Sequence, residues 1–433
     1  MMSSRRGAGG APSATLPLAY LAAAAAAFVV ALTGLPWLAP ELAGHYYHPR
    51  VLALTHTVTL GWITMSILGA SYQLIPVVLE RPLWSEGLAR WQLGVLLVGV
   101  TGMVAHFWIG TWAGLACAAA LIGLGVSMHL INVAASLRRF GRWTFTARLV
   151  ALGQVGLALT VLFGTVLAVN HVWPFLPGEL FPTLHAHIHL ALAWWIAPML
   201  MGVSARVFPM FLLSPERRGW LGPLQLYGLL LGAPVLAMGL MAISALVAPG
   251  ALSLAAAAAG HVVWVIAMAH GRKRPVLDWG FRFILTAIGF LPLGSALGLA
   301  LALDLVSGPR IALAYAVLLL GGWVSLSIVG MMLKIVPFLV WYRVYSPLVG
   351  RRPVPVLAEL GWPAAEGVAW ALLTAGFLFL AGAAAAGNAT WIAASGATLA
   401  LGSLSFAAAL GRVLSHLASP APVLATSAGA ITR

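Results

Sequence analysis

The chain has one cysteine, Cys117, in 433 residues. A single thiol excludes intrachain disulfides and leaves no ligand set for an iron–sulfur cluster. Charge is almost as scarce, at 7% of residues, and only nine side chains are acidic. All nine (Glu41, Glu80, Glu86, Glu179, Glu216, Asp278, Asp304, Glu359 and Glu366) are expected in loops or at helix ends. Proton pumps place a titratable carboxylate inside the membrane, so this distribution argues against a pump. What the chain has in excess is apolar surface, with 62% hydrophobic residues and a mean hydropathy of +1.00. Uncharged runs such as 91–136 and 224–270 exceed what a buried helix needs and read as membrane spans.

The pattern predicts an all-α membrane protein of twelve spans, near 17–38, 51–79, 91–110, 113–136, 147–170, 185–213, 224–247, 251–270, 281–303, 312–342, 366–386 and 390–414. The first span follows Arg5 and Arg6 and reads as a retained helix, since roughly 22 apolar residues exceed a signal-peptide core. A single membrane domain, 17–416, is expected between tails at 1–16 and 417–433. The net charge of +14 is topological. Lys and Arg concentrate at 5–6, 81–90, 138–148, 217–218, 272–282, 343–352 and 412–433, leaving Arg50 and Arg310 for the opposite loops. The positive-inside rule then puts both termini in the cytoplasm, in a bacterial-type inner membrane. The partner implied is a lipid bilayer rather than nucleic acid.

Three segments share Trp, Gly and Pro at seven-residue spacing: Trp62, Gly69 and Pro76; Trp195, Gly202 and Pro209; Trp323, Gly330 and Pro337. The copies lie 133 and 128 residues apart, which predicts three four-helix repeats at about 17–136, 147–270 and 281–414. Seven-residue spacing keeps the marks close to one helix face. The Gly admits a neighbouring helix or a flat cofactor, and the Pro bends the helix. Gln73, Arg206 and Lys334, three residues before each Pro, read as side chains snorkelling to the interface. His56 and His189 occupy the same place in the first two copies, where the third has Val317.

Seven of the twelve histidines (His45, His48, His56, His171, His185, His187 and His189) fall at the expected outer face. A neutral imidazole is tolerated in lipid when its nitrogens are satisfied, and iron or copper satisfies one of them. His56, His185, His187 and His189 are therefore candidate haem or metal ligands. On a helix His185 and His189 share a face and His187 turns away, whereas in extended backbone His185 and His187 share a side. His45 and His48, in the run His-Tyr-Tyr-His-Pro, would cover the site or add ligands. The bland alternative is an interfacial cluster bonded to headgroups and loop carbonyls. His106, His129, His261, His270 and His416 read as packed or interfacial.

With His56 above GASYQLIP (69–76), and with the repeated second, sixth and tenth helices, the chain resembles the haem–copper oxidase subunit I superfamily, whose twelve helices form three arcs of four. It is closer still to divergent members such as the NnrS-type proteins, which have openings of the form His-Ala-His, as at 185–187. The resemblance implies b-type haem on His56 and one histidine of 185–189, copper near the same place, and a redox partner subunit or cytochrome. It implies electron transfer or binding of a diatomic gas such as nitric oxide. A membrane carrier of copper or haem is the alternative. The chain departs from the family where oxygen is reduced: 312–342 and 224–247 contain no histidine. The isolated chain is therefore expected to give negligible oxygen uptake with reduced cytochrome or quinol; sustained cyanide-sensitive respiration would overturn this.

Overall fold

A computed structural model describes residues 14–79, 82–138, 143–176, 180–216 and 218–419. Glu80, Arg81, Glu179 and most of both tails lie outside the described residues. Every described element is a helix. Twelve are long and apolar enough to cross a membrane: α1 Thr15–Gly44, α2 Pro49–Pro76, α3 Glu86–Ile109, α4 Leu115–Leu137, α5 Phe145–Val172, α6 Leu180–Leu212, α7 Leu221–Met241, α8 Ser244–His270, α9 Trp279–Ala302, α10 Pro309–Leu348, α11 Pro363–Ala386 and α12 Ala389–Ser415. The chain is a multi-pass membrane protein. Backbone polar groups have no water partner in a bilayer, so helices are the spanning structure such a chain can adopt.

The turn between α7 and α8 sits earlier than the sequence pattern indicates. It falls at Ala242 and Ile243, not near 248–250. Hydrophobic residues run straight through it, and Pro249 is accommodated near the start of α8, where its missing N–H costs no helix bond. Helix starts elsewhere carry ordinary caps. Ser85, Thr144, Asp278 and Asn388 each accept a backbone N–H two or three residues into the following helix.

The broadest helix contacts join α3 to α4, α7 to α8 and α11 to α12. The long helices α2, α6 and α10 run through the interior, and each is interrupted by a π-helical stretch, at Thr57–Thr64, Ala191–Ile196 and Val317–Ser325. Such widened turns are rare and recur at functional sites. The motif glycines are places of close helix approach. A Cβ on Gly69 would come 2.7 Å from Tyr20 Cβ, one on Gly202 3.0 Å from Leu149 Cβ, and one on Gly330 2.5 Å from the Gly280 carbonyl. Each thus admits a helix (α1, α5 and α9 in turn) rather than a flat cofactor.

The motif tryptophans are buried where the three central helices meet. Trp62 Nε1 donates to Ser325 Oγ at 3.0 Å, and Trp195 Nε1 donates to Thr64 Oγ1 at 3.3 Å. Thr64, Ala197 and Ser325 each follow their helix's Trp by two residues. Two links of a cycle are therefore present, and the third would run from Trp323 to position 197, where the methyl of Ala197 accepts nothing. At the far ends of these helices Arg206 is exposed. Lys334 does not snorkel freely but is paired with Asp278 and lies over the rings of Phe211 and Phe281.

Ser325→Ala should leave the Trp62 N–H buried without a partner and lower stability by ~1–3 kcal/mol. Ala197→Ser should supply the missing acceptor and raise it by about 1 kcal/mol. Thermal unfolding in detergent reads both, and an unchanged midpoint in Ser325→Ala would show that the bond is idle.

Candidate histidine site

One cavity of about 290 Å³ draws together residues of α2, α3, α4, α5, α6 and α10. It brings His56, His171, His185, His187 and His189 to a common space with Tyr46, Tyr47 and Tyr315. The remaining wall is chiefly aliphatic and threonine-lined, including Leu96, Val100, Met103, Ile122 and Leu157.

His56 and His189 are held in the same way. His56 Nδ1 bonds to the Leu52 carbonyl at 2.8 Å, and His189 Nδ1 bonds to the His185 carbonyl at 2.8 Å. Only a protonated Nδ1 can donate to a carbonyl, so Nε2 of both rings carries an unprotonated lone pair. Fixing one ring nitrogen on a backbone carbonyl is how metal-ligating histidines are oriented. His56 is further stacked on Phe107 (ring centroids 4.8 Å apart), and His189 is stacked on Tyr315 (6.1 Å). The π-helical stretches begin one and two residues beyond these histidines.

His187 stands on the α5 side of the cavity. A Cβ on Gly164 would sit 3.1 Å from His187 Cε1, so the missing side chain makes room for the ring. Its Nδ1 is buried and makes no well-formed hydrogen bond, the backbone of Thr160 being the polar group that approaches the ring. A lone polar atom of this kind costs ~1–3 kcal/mol unless something bonds it. The segment is helical from Leu180, but His187 does not turn away as helical spacing predicts, since it lines the same cavity as His185 and His189.

Two tyrosines close one end of the cavity. Tyr46 Oη is 3.0 Å from His185 Nε2, and Tyr47 Oη is 2.8 Å from His171 Nε2. His171 is stacked on Trp112 at 4.3 Å with rings nearly parallel. Burial raises the phenol of Tyr46 and pushes that of Tyr47 up to about 12, so both remain neutral donors. His45 and His48 do not line the cavity. They line a separate open depression with Glu41, Tyr47 and Phe181. There His45 Nδ1 accepts the Tyr47 N–H, and His48 Nδ1 accepts the Arg50 N–H as the N-cap of α2. The covering role expected of them belongs to the tyrosines between them.

Among the described residues no three His, Cys, Asp or Glu side chains cluster closely enough to hold a metal ion by themselves. His106, His270 and His416 bond to Thr111, the Ile266 carbonyl and Tyr345. His129 and His261 are fully buried, each beside a glutamine. Tyr72 Oη bridges Gln92 and His129, and His261 Nδ1 is 3.2 Å from Gln225 Oε1. Sequence reasoning missed these pairs, although Gln92 and Gln225, like His129 and His261, recur near the repeat spacing. It also missed Tyr46 and Tyr47, which stand in the His-Tyr-Tyr-His run, and Tyr315, which carries no such signal. No protein-family model matches the chain, and no curated protein matches it in sequence.

The burial of Tyr47 gives a pH prediction. With the exposed phenol ionising at 10.0 and the buried one at about 12, the closed form is favoured fully below pH 10 and loses that advantage as pH rises towards 12. The thermal midpoint of the wild type should therefore fall more steeply over that window than that of Tyr47→Phe. Parallel slopes would show that the phenol does not hold the loop.

Proposed function

We propose that this chain is an integral membrane haem protein of three related four-helix units, akin to haem–copper oxidase subunit I, with b-type haem in the histidine cavity at the outer face. The observation that carries the reading is the identical fixing of His56 and His189, each with Nδ1 on a backbone carbonyl and Nε2 unbonded in the cavity wall. The cavity is near the lower end of the size range of small-molecule sites, and its largely apolar wall with a few polar groups suits a lipophilic macrocycle. His56 and one of His185, His187 and His189 would hold the iron. Tyr46 and Tyr47, both neutral donors, would meet the polar edge and exclude water. Bound there, haem held by two histidines would supply one-electron redox chemistry; with only one of them bound, it would instead offer a coordination position to a diatomic gas. The unit structure is supported by equal motif spacing, by π-helical stretches at matching places and by the Trp62 and Trp195 bonds. Copper near His185 and His187, both termini in the cytoplasm and a redox partner complete the reading.

A second reading, a membrane carrier of copper or haem, draws on the unpaired Nδ1 of His187, a nitrogen free to hand over a ligand. Absorption spectroscopy with metal analysis on the purified chain separates the two. Reduced haem bands support the first reading, and copper without haem supports the second. His56→Ala should abolish or convert the haem spectrum, while His129→Ala should leave it unchanged. Normal haem in His56→Ala would refute the ligand assignment.

A further inference from the structure

A second cavity, about 100 Å³, borders the histidine cavity. The two share Val51, Thr55, Leu313, Ala316 and Leu320 as a common wall. The smaller one is otherwise lined by apolar side chains such as Phe28, Val58, Val317, Phe377 and Leu380. Its two hydroxyls are already engaged: Thr55 donates to the Val51 carbonyl at 2.8 Å, and Ser325 donates to the Leu320 carbonyl at 2.7 Å while accepting from Trp62. A space of this size has room for about three waters but offers them little more than the Thr55 oxygen as an acceptor, fewer than the two to four partners a buried water takes, which is the condition under which cavities stay dry and take apolar guests.

Its position in the chain explains its emptiness. Phe377, Leu380, Ala384 and Ile392 each lie 277 residues after Val100, Met103, Phe107 and Leu115, four residues that line the histidine cavity. Val317 stands where the first copy has His56. The small cavity is thus the third unit's counterpart of the histidine site. There the stacked pair His56 and Phe107 is replaced by Val317 and Ala384. Two rings have given way to an isopropyl and a methyl, and the volume they vacated has not been refilled. A void in a packed interior costs stability, so its retention asks for a use.

We propose that this pocket binds a small uncharged apolar molecule, a diatomic gas, and exchanges it with the histidine cavity through the wall at Thr55, Ala316 and Leu320. The exchange deepens the proposed gas-binding role, whereas occupancy of the pocket stands apart from it. Xenon is the probe, applied under pressure to crystals of the full chain and followed by ¹²⁹Xe NMR in detergent. Xenon density is expected in the pocket of the wild type. Ala384→Phe, which restores the ring found at Phe107 without touching the histidine cavity, should remove it. Should that variant fail to fold, Ala384→Leu makes the same test. Ala316→Leu, which thickens the shared wall, should slow exchange between the two cavities at least tenfold. Ordered water in place of xenon, or undiminished xenon in both Ala384 variants, would overturn the site; unchanged exchange in Ala316→Leu would overturn the connection. Xenon is read with or without haem, so a chain that takes xenon but shows no haem spectrum refutes the haem reading and leaves the pocket standing.

Discussion

The indole bonds of Trp62 and Trp195 bind the three central helices to one another, and the placing of every candidate ligand depends on that contact. In a bilayer the helices gain little from hydrophobic association with each other, because lipid tails are as apolar as leucine. Close packing at small residues and a few interhelical hydrogen bonds must therefore set the register. Trp62 to Ser325 ties α2 to α10, and Trp195 to Thr64 ties α6 to α2. Gly69, Gly202 and Gly330 bring α1, α5 and α9 against the other side of these helices. With depth fixed in this way, His56 and His189 open onto the same cavity although 133 residues separate them.

The same region shows how the backbone is adapted to the site. A π-helical stretch widens the helix by one residue and re-aims the side chains that flank it. In α10 the widening is visible in a side-chain bond, where Ser325 Oγ reaches the Leu320 carbonyl five residues back. That bond leaves the hydroxyl oxygen turned to accept the Trp62 indole. Local irregularity and helix association are thus one feature, repeated with variations in α2 and α6.

The spans were legible because membrane insertion imposes a length and an apolarity that few other structures share, and the shift at Ala242 and Ile243 occurred where apolar residues continue through a turn. The shared placement of His56, His185, His187 and His189 was partly legible, since Trp–Gly–Pro spacing equates His56 with His189 before any coordinates are known. The tyrosine closure was not. A Tyr–His hydrogen bond between residues 124 or 139 apart leaves no periodic trace. Nor was the pairing of Lys334 with Asp278, because snorkelling and ion pairing place a lysine at the same sequence position near a helix end.

The buried polar atoms left without a protein partner are unevenly spread. Among the described residues they occur on Glu41, Ser66, Gln73, Gln92, His129, Gln154, His187, Arg218, Gln225 and Trp264, and after residue 270 only on Thr374. The chain up to residue 270 thus holds the histidines of the cavity, the glutamine–histidine neighbours and most of the unsatisfied groups. Beyond it, by the motif spacing, Val317 stands opposite His56, and Ala369 and Phe406 lie 277 residues after Gln92 and His129. Each unsatisfied group in lipid is costly, and a unit relieved of ligands would be expected to shed the polar groups that support them. Under the proposed three-unit reading, the polar groups that would serve a cofactor lie in the first two units and the third offers an apolar wall. Under the same reading, the cavity beside Val317 and Ala384 is the volume that the stacked pair His56 and Phe107 occupies in the first unit.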